Sequence, residues 1–263
     1  MVNNRMDHVF DEIKKAKGKI LALYFPVGDT ILNGAECEWA GTYFEGGCTV
    51  LEIGLPNENP VLDGKTVADS MERALSHANL DEIFRKIKDI REQYPQKVLQ
   101  IMVYYQVIEK IGIERFADIC HNCDVDGVLS PNTPGESMAD LDRALNRYHI
   151  HNLRFSPFHL TKEALIDLKA NASGYIFQQA VDGATGAQPT VSPTVGENIE
   201  RLKGAGIETP VLAGFGISNA QQIKEALAMG ADGVIVGSAV LSHIIKGDGA
   251  AFIKSLGEVT RGL

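Results

Sequence analysis

Eight short runs of β-branched and other apolar residues recur along the chain, and the stretches between them carry helical periodicity. The runs are Ile20–Phe25, Thr49–Ile53, Val98–Tyr105, Gly127–Ser130, Leu153–Phe158, Gly174–Gln178, Pro210–Ala213 and Gly233–Val236. Several are almost uninterrupted apolar stretches, which a strand needs when both of its faces are buried. After the second run two helices fit: Val67, Met71, Ala74, Leu75 and Ala78 share one face, and Ile83, Ile87, Ile90 and Tyr94 share another. Ser218-Asn219-Ala220-Gln221 has capping-box spacing ahead of Ile223, Ala226 and Leu227, with Gly230 as the stop. Thr161 and Ser137 are candidate N-caps of two further helices.

Eight strand–helix units in 263 residues fit a closed (β/α)8 barrel, an α/β fold, better than a doubly wound sheet, which more often stops at five or six strands. The expectation is a single barrel domain over residues 1–263 with one extra helix after strand 2. Val125-Asp126-Gly127-Val128 and Ala231-Asp232-Gly233-Val234 echo each other in the fourth and eighth units, as a half-barrel repeat would.

Charge narrows the partners. With 34 acidic and 25 basic side chains the net charge is -9, and no basic run is present to bind nucleic acid or an anionic membrane. A small anion is still allowed, because backbone N–H groups at helix starts hold most phosphates. No apolar stretch reaches the length of a membrane span, and the polar N-terminus, from Asn3 to Lys15, is unlike a signal peptide. Four cysteines are few for this length and fit a reducing, cytoplasmic setting. Cys120-His121-Asn122-Cys123 has redox or metal spacing but lacks a second pair, so buried or surface thiols are expected there. His149 and His151 fall at the start of the fifth strand and read as structural.

In a barrel of this kind chemistry sits at the C-terminal ends of strands. Strand 2 ends in Leu51-Glu52-Ile53-Gly54-Leu55-Pro56. Alternation turns Glu52 away from Leu51 and Ile53, and a carboxylate among such neighbours is costly without a partner or a task. Desolvation would raise its pKa and suit it to give and take protons; the bland alternative is a pair with a lysine on a neighbouring strand. Asp63, just before a helix that begins near Thr66, is either a capping or turn residue or a second carboxylate facing the same ligand. Gly214-Phe215-Gly216-Ile217-Ser218 follows strand 7 and Gly237-Ser238-Ala239 follows strand 8, the usual phosphate cradle of this fold. Asp182-Gly183-Ala184-Thr185-Gly186-Ala187 is a third glycine-rich loop, either a lid or a plain crossing. No metal site or covalent nucleophile is evident, and no cofactor is expected.

Taken in order, the Glu52 segment, Asp63-Gly64, Gly183-Ala184-Thr185-Gly186, Gly214 to Ser218 and Gly237-Ser238-Ala239 resemble the motifs of the tryptophan synthase alpha chain family over essentially the whole chain. The resemblance implies retro-aldol cleavage of indole-3-glycerol phosphate to indole and glyceraldehyde 3-phosphate without a cofactor. It implies that Glu52 shuttles protons and that Asp63 holds the indole N–H. Gly186, Gly216, Gly237 and Ser238 would bind the phosphate, and Tyr24, Leu129, Phe177 and Phe215 would wall the indole pocket.

Several positions depart from the family pattern. Pro56-Asn57-Glu58-Asn59-Pro60 stands for Pro-Phe-Ser-Asp-Pro, Lys65 for Pro, Gln106 for Asn, Asn132 for Asp, and Val181 for Arg. Most of these lie in loops that in the family face a beta chain. The expectation is therefore a retained lyase site with altered or absent coupling to a beta chain. The alternatives are a non-catalytic subunit that keeps only the phosphate site, or another phosphate-binding barrel enzyme. The latter commonly needs a Lys at a strand end, and no candidate strand contains one.

Overall fold

A computed structural model of the protein describes residues 2–183 and 190–261. Its strands are β1 (Ile20–Phe25), β2 (Val50–Gly54), β3 (Val98–Met102), β4 (Gly127–Leu129), β5 (His151–Ser156), β6 (Ile176–Gln179), β7 (Val211–Gly214) and β8 (Gly233–Val236). They run parallel in sequence order, and β8 pairs with β1 to close the barrel. The helices are α1 (Arg5–Lys15), α2 (Glu36–Glu45), α3 (Lys65–His77), α4 (Leu80–Gln93), α5 (Tyr105–Ile111), α6 (Ile113–Asn122), α7 (Gly135–Asn146), α8 (Lys162–Asn171), α9 (Pro193–Gly204), α10 (Ala220–Ala228), α11 (Ser238–Lys246) and α12 (Gly249–Arg261). The chain thus forms the expected (β/α)8 barrel with an extra helix after strand 2, and two helices rather than the expected one also follow β3 and β8.

Strand alternation divides the apolar residues into two layers. Ile20, Ala22, Tyr24, Val50 and Val98 fill the barrel interior, while Leu21, Leu23, Phe25, Leu51 and Leu99 pack outward beneath the helices. The same alternation turns Glu52 and Gln100 inward, where β2 and β3 place them side by side.

The half-barrel echo has a geometric basis. Asp126 Oδ2 accepts the Leu99 N–H at 2.8 Å and Asp232 Oδ2 accepts the Val211 N–H at 3.0 Å, so each aspartate ties down the start of the preceding strand. Each also donates its own N–H to that residue's carbonyl, and its carbonyl accepts from the strand that follows. Asp126 is buried and additionally paired with Arg91 and Arg5.

The N-terminal end of the barrel is plugged by α1, which the strand–helix count did not anticipate. Asn4 caps it in a reciprocal box with Asp7. Met6 and Phe10 enter the inner core, a burial worth roughly 1.5–3 kcal/mol each. The Asp7 carboxylate accepts a hydrogen bond from His151 Nε2 at 2.9 Å, and His151, buried within β5, braces the floor far from the mouth.

Other boundaries differ from expectation for local reasons. Strand 3 stops at Met102 because the Tyr105 N–H is taken by Asn132 Oδ1 at 2.8 Å, which starts α5 instead. Strand 5 begins two residues early and stops at Ser156, before Pro157, which has no N–H for the ladder. Leu75 is partly exposed rather than on the packed face of α3. Thr161 caps α8 as expected, but Ser137 lies inside α7, bonded to the Tyr105 hydroxyl, and Asn219 rather than Ser218 caps α10. Cys120 and Cys123 are buried at the end of α6, and burial pushes both thiols up. Among the described residues no cluster of His, Cys, Asp or Glu could hold a metal, and no helix is long and apolar enough to cross a membrane.

Candidate active site

The C-terminal mouth of the barrel opens into a pocket of about 590 Å³ of atom-free space. Every site residue expected from the sequence that falls among the described residues lines it: Tyr24, Glu52, Asp63, Leu129, Phe177, Phe215, Gly216, Gly237 and Ser238. Gly186 lies outside the described residues.

Glu52 is 4% exposed. Its neighbours across the sheet are Tyr24 and Gln100, not a lysine, and its Oε1 has no hydrogen-bond partner among the described residues. Burial, reinforced by the negative charge of Asp63, pushes its carboxyl up to about 8. Gln100 pulls the other way as a hydrogen-bonding neighbour, but by less than burial and Asp63 push, and its Nε2 meets no acceptor at full hydrogen-bond geometry among the described residues. At neutral pH Glu52 is mainly a neutral acid, able to donate a proton and then accept one.

Asp63 is not a helix cap. The N-cap of α3 is Gly64, which makes no side-chain cap, while Asp63 Oδ2 accepts the Tyr104 hydroxyl at 2.8 Å. That hydroxyl also accepts the Leu62 N–H at 3.0 Å, so one phenol fixes the loop and aims its carboxylate. Lys65 pairs with Asp69 on α3, at 2.7 Å.

Between the two carboxyl groups and the far rim runs an aromatic wall. Phe177 and Phe215 meet edge to face at 5.2 Å, and Phe155 lies 5.4 Å from Phe177 and 5.9 Å from Phe215. Gly214 makes room for it, since a Cβ there would come within 2.4 Å of the Phe177 ring. Phe215 and Gly216 both have positive φ, 68° and 80°, which swings the chain across the mouth after β7. Next to this crossing, after β8, α11 begins at Ser238 with no side-chain cap, so its first-turn N–H groups and positive dipole end face the pocket entrance that Gly237 and Ser238 line.

Tyr104 and Phe155 were not anticipated. Tyr104 falls within the apolar run expected as strand 3, and its bond to Asp63 spans 41 residues, beyond any periodicity. Phe155 was readable: it shares the inward parity of Leu153, which lies in the inner core.

A parallel barrel that gathers a buried carboxyl with a raised pKa, a second carboxylate, an aromatic slot and a helix N-terminus at its mouth has the make-up of a (β/α)8 enzyme. Residues 10–256 match the family model described as "Tryptophan synthase alpha chain". The tryptophan synthase alpha chain of Pelobacter propionicus is 33% identical over 90% of this chain and 88% of its own. That of Corynebacterium glutamicum is 34% identical over 77% of this chain and 73% of its own. The fold is also that of Mycobacterium tuberculosis tryptophan synthase (TM-score 0.88, 24% identity, 98% of each chain covered). A Legionella pneumophila tryptophan synthase alpha chain shares it too (TM-score 0.86, 22% identity, 99% and 98% covered). The chain belongs to the tryptophan synthase alpha chain family.

Proposed function

We propose that the pocket cleaves indole-3-glycerol phosphate to indole and glyceraldehyde 3-phosphate, with Glu52 as the proton carrier and Asp63 as the holder of the indole N–H. The observation that supports this most is the inward, buried Glu52 with an unpartnered oxygen, in one pocket with an anchored Asp63. The neutral Glu52 carboxyl gives its proton to indole C3, and the positive charge that develops on the ring nitrogen is stabilised by Asp63. The Glu52 carboxylate then takes the proton from the glycerol hydroxyl as the carbon–carbon bond to C3 breaks. The aldehyde carbonyl forms, and the electron pair of the broken bond returns to the ring, leaving Glu52 protonated for the next turnover.

The indole ring lies against Tyr24, Leu129, Phe177 and Phe215. The phosphate sits on backbone N–H groups of Gly216, Gly237 and Ser238, with Gly186 as a further contributor by family resemblance. Residues 1–263 act as one domain, in the cytoplasm.

The partner is a tryptophan synthase beta chain, but with altered coupling. Two of the departing side chains bond to each other: Asn132 Nδ2 donates to Gln106 Oε1 at 2.9 Å. Glu58 pairs with Lys110 on α5 at 3.4 Å. The loops that carry these residues are thereby tied within this chain. Indole release from indole-3-glycerol phosphate, assayed with and without a beta chain from the same source, tests both parts. Turnover by the chain alone with little mutual activation is expected. Strong mutual activation would refute altered coupling. Absence of indole alongside retained glycerol phosphate binding would refute the lyase and favour a non-catalytic subunit.

A further inference from the structure

Beside Glu52 the barrel interior holds a second buried polar group whose hydrogen bonding is incomplete. Gln100 is fully buried on β3 and is the register partner of Glu52. Its Oε1 accepts the hydroxyl of Tyr175, also fully buried, at 2.9 Å, from the residue just before β6. With Oε1 taken by the Tyr175 hydroxyl, Nε2 is the end of the amide that this bond leaves over. Nε2 is left as a buried donor without a partner among the described residues, next to Glu52 Oε1, a buried acceptor in the same condition. An unpaired buried donor and an unpaired buried acceptor on adjacent strands are each costly, and one side-chain adjustment would satisfy both.

We propose that Gln100 is a positioning residue for Glu52: Tyr175 orients its amide so that Nε2–H receives the Glu52 carboxylate whenever that carboxylate has given up its proton. The inference rests on Glu52 being the proton carrier. While Glu52 is protonated the pair stays open and the carboxyl is free to face the pocket. Once the proton has gone to the substrate, the new charge meets a donor already aimed at it, and the carboxylate is held until it accepts the hydroxyl proton. The other groups around Glu52 are Tyr24 on β1, Tyr175, Cys48 ahead of β2 and Asp63 on the loop. Burial pushes Tyr24, Tyr175 and Cys48 up, so they stay neutral, and Asp63 only repels. Gln100 is therefore the group placed to favour the ionised form.

The test is a carboxyl titration of Glu52 in the ligand-free protein, followed by NMR on carboxyl-labelled glutamate and assigned by the signal lost in Glu52→Gln. Gln100→Met keeps the volume and removes the amide; its Glu52 midpoint should rise by about one unit, the loss expected when a charge-assisted hydrogen bond disappears. Tyr175→Phe keeps the ring and removes only the orienting hydroxyl, and should shift the midpoint in the same direction by less. A residue that merely filled space would leave the midpoint where it is. An unmoved midpoint in either folded variant overturns the inference. The two readings fail separately: indole release surviving in Glu52→Gln would remove Glu52 from the chemistry. An unmoved midpoint beside an inactive Glu52→Gln would remove only Gln100.

Discussion

Glu52 is expensive to keep. In the unfolded chain it ionises near its ordinary value of 4.5, and in the folded chain at about 8. Below pH 4.5 it is neutral in both states and affects neither. Between there and pH 8 only the unfolded chain ionises, so stability falls as pH rises, and above pH 8 the loss levels off. The full loss is on the order of 4–5 kcal/mol. Glu52→Gln should therefore melt higher than the parent protein, by a margin that widens from pH 5 to 8 and then stays constant, as thermal unfolding across that range would show. The same variant should lose indole release while still binding glycerol phosphate. A margin that narrows with rising pH would mean that Glu52 is ionised and paired in the folded state. A group that costs stability and whose Oε1 has no hydrogen-bond partner among the described residues fits a functional demand, and this much was readable from one acid inside an apolar strand. Its surroundings were not, because the groups that act on it come from β3, from the loop before α3 and from the start of β6.

At the scale of elements, the site depends on how strands end. β7 gives way at Gly214 to the left-handed pair Phe215 and Gly216, and the aromatic wall stands because nothing projects from Gly214. Gly214→Ala should push the Phe177 ring off its position, costing about 1–3 kcal/mol of stability. It should also raise KM for the indole-bearing substrate more than it lowers kcat; an unchanged KM in steady-state kinetics would detach the wall from substrate recognition. Strand ends are also where residue pattern and structure part. The run from Val98 to Tyr105 is apolar and aromatic throughout, so pattern alone continues the strand, and only the Asn132 side chain 27 residues away decides where helix takes over. β5 starts two residues before its apolar run because His151 and Asn152, polar in sequence, are buried within the strand, His151 as the structural brace to α1.

For the molecule as a whole, eight alternating units were enough to specify closure, and the repeated aspartate at the start of β4 and β8 shows why the two halves read alike. What the pattern could not supply was α1, an amphipathic helix outside the strand–helix count whose Met6 and Phe10 complete the inner core from below. The net charge of -9 is compatible with an anionic ligand because the groups proposed to hold it are backbone amides at the mouth and not basic side chains. If Glu52 enters the reaction as an acid, kcat/KM for indole release as a function of pH, which reports essential groups of the free enzyme, should decline on the alkaline side with a midpoint near 8, the value of the Glu52 carboxyl. Activity that rises through pH 8 to a plateau would show that Glu52 works only when ionised, and would overturn its role as the acid.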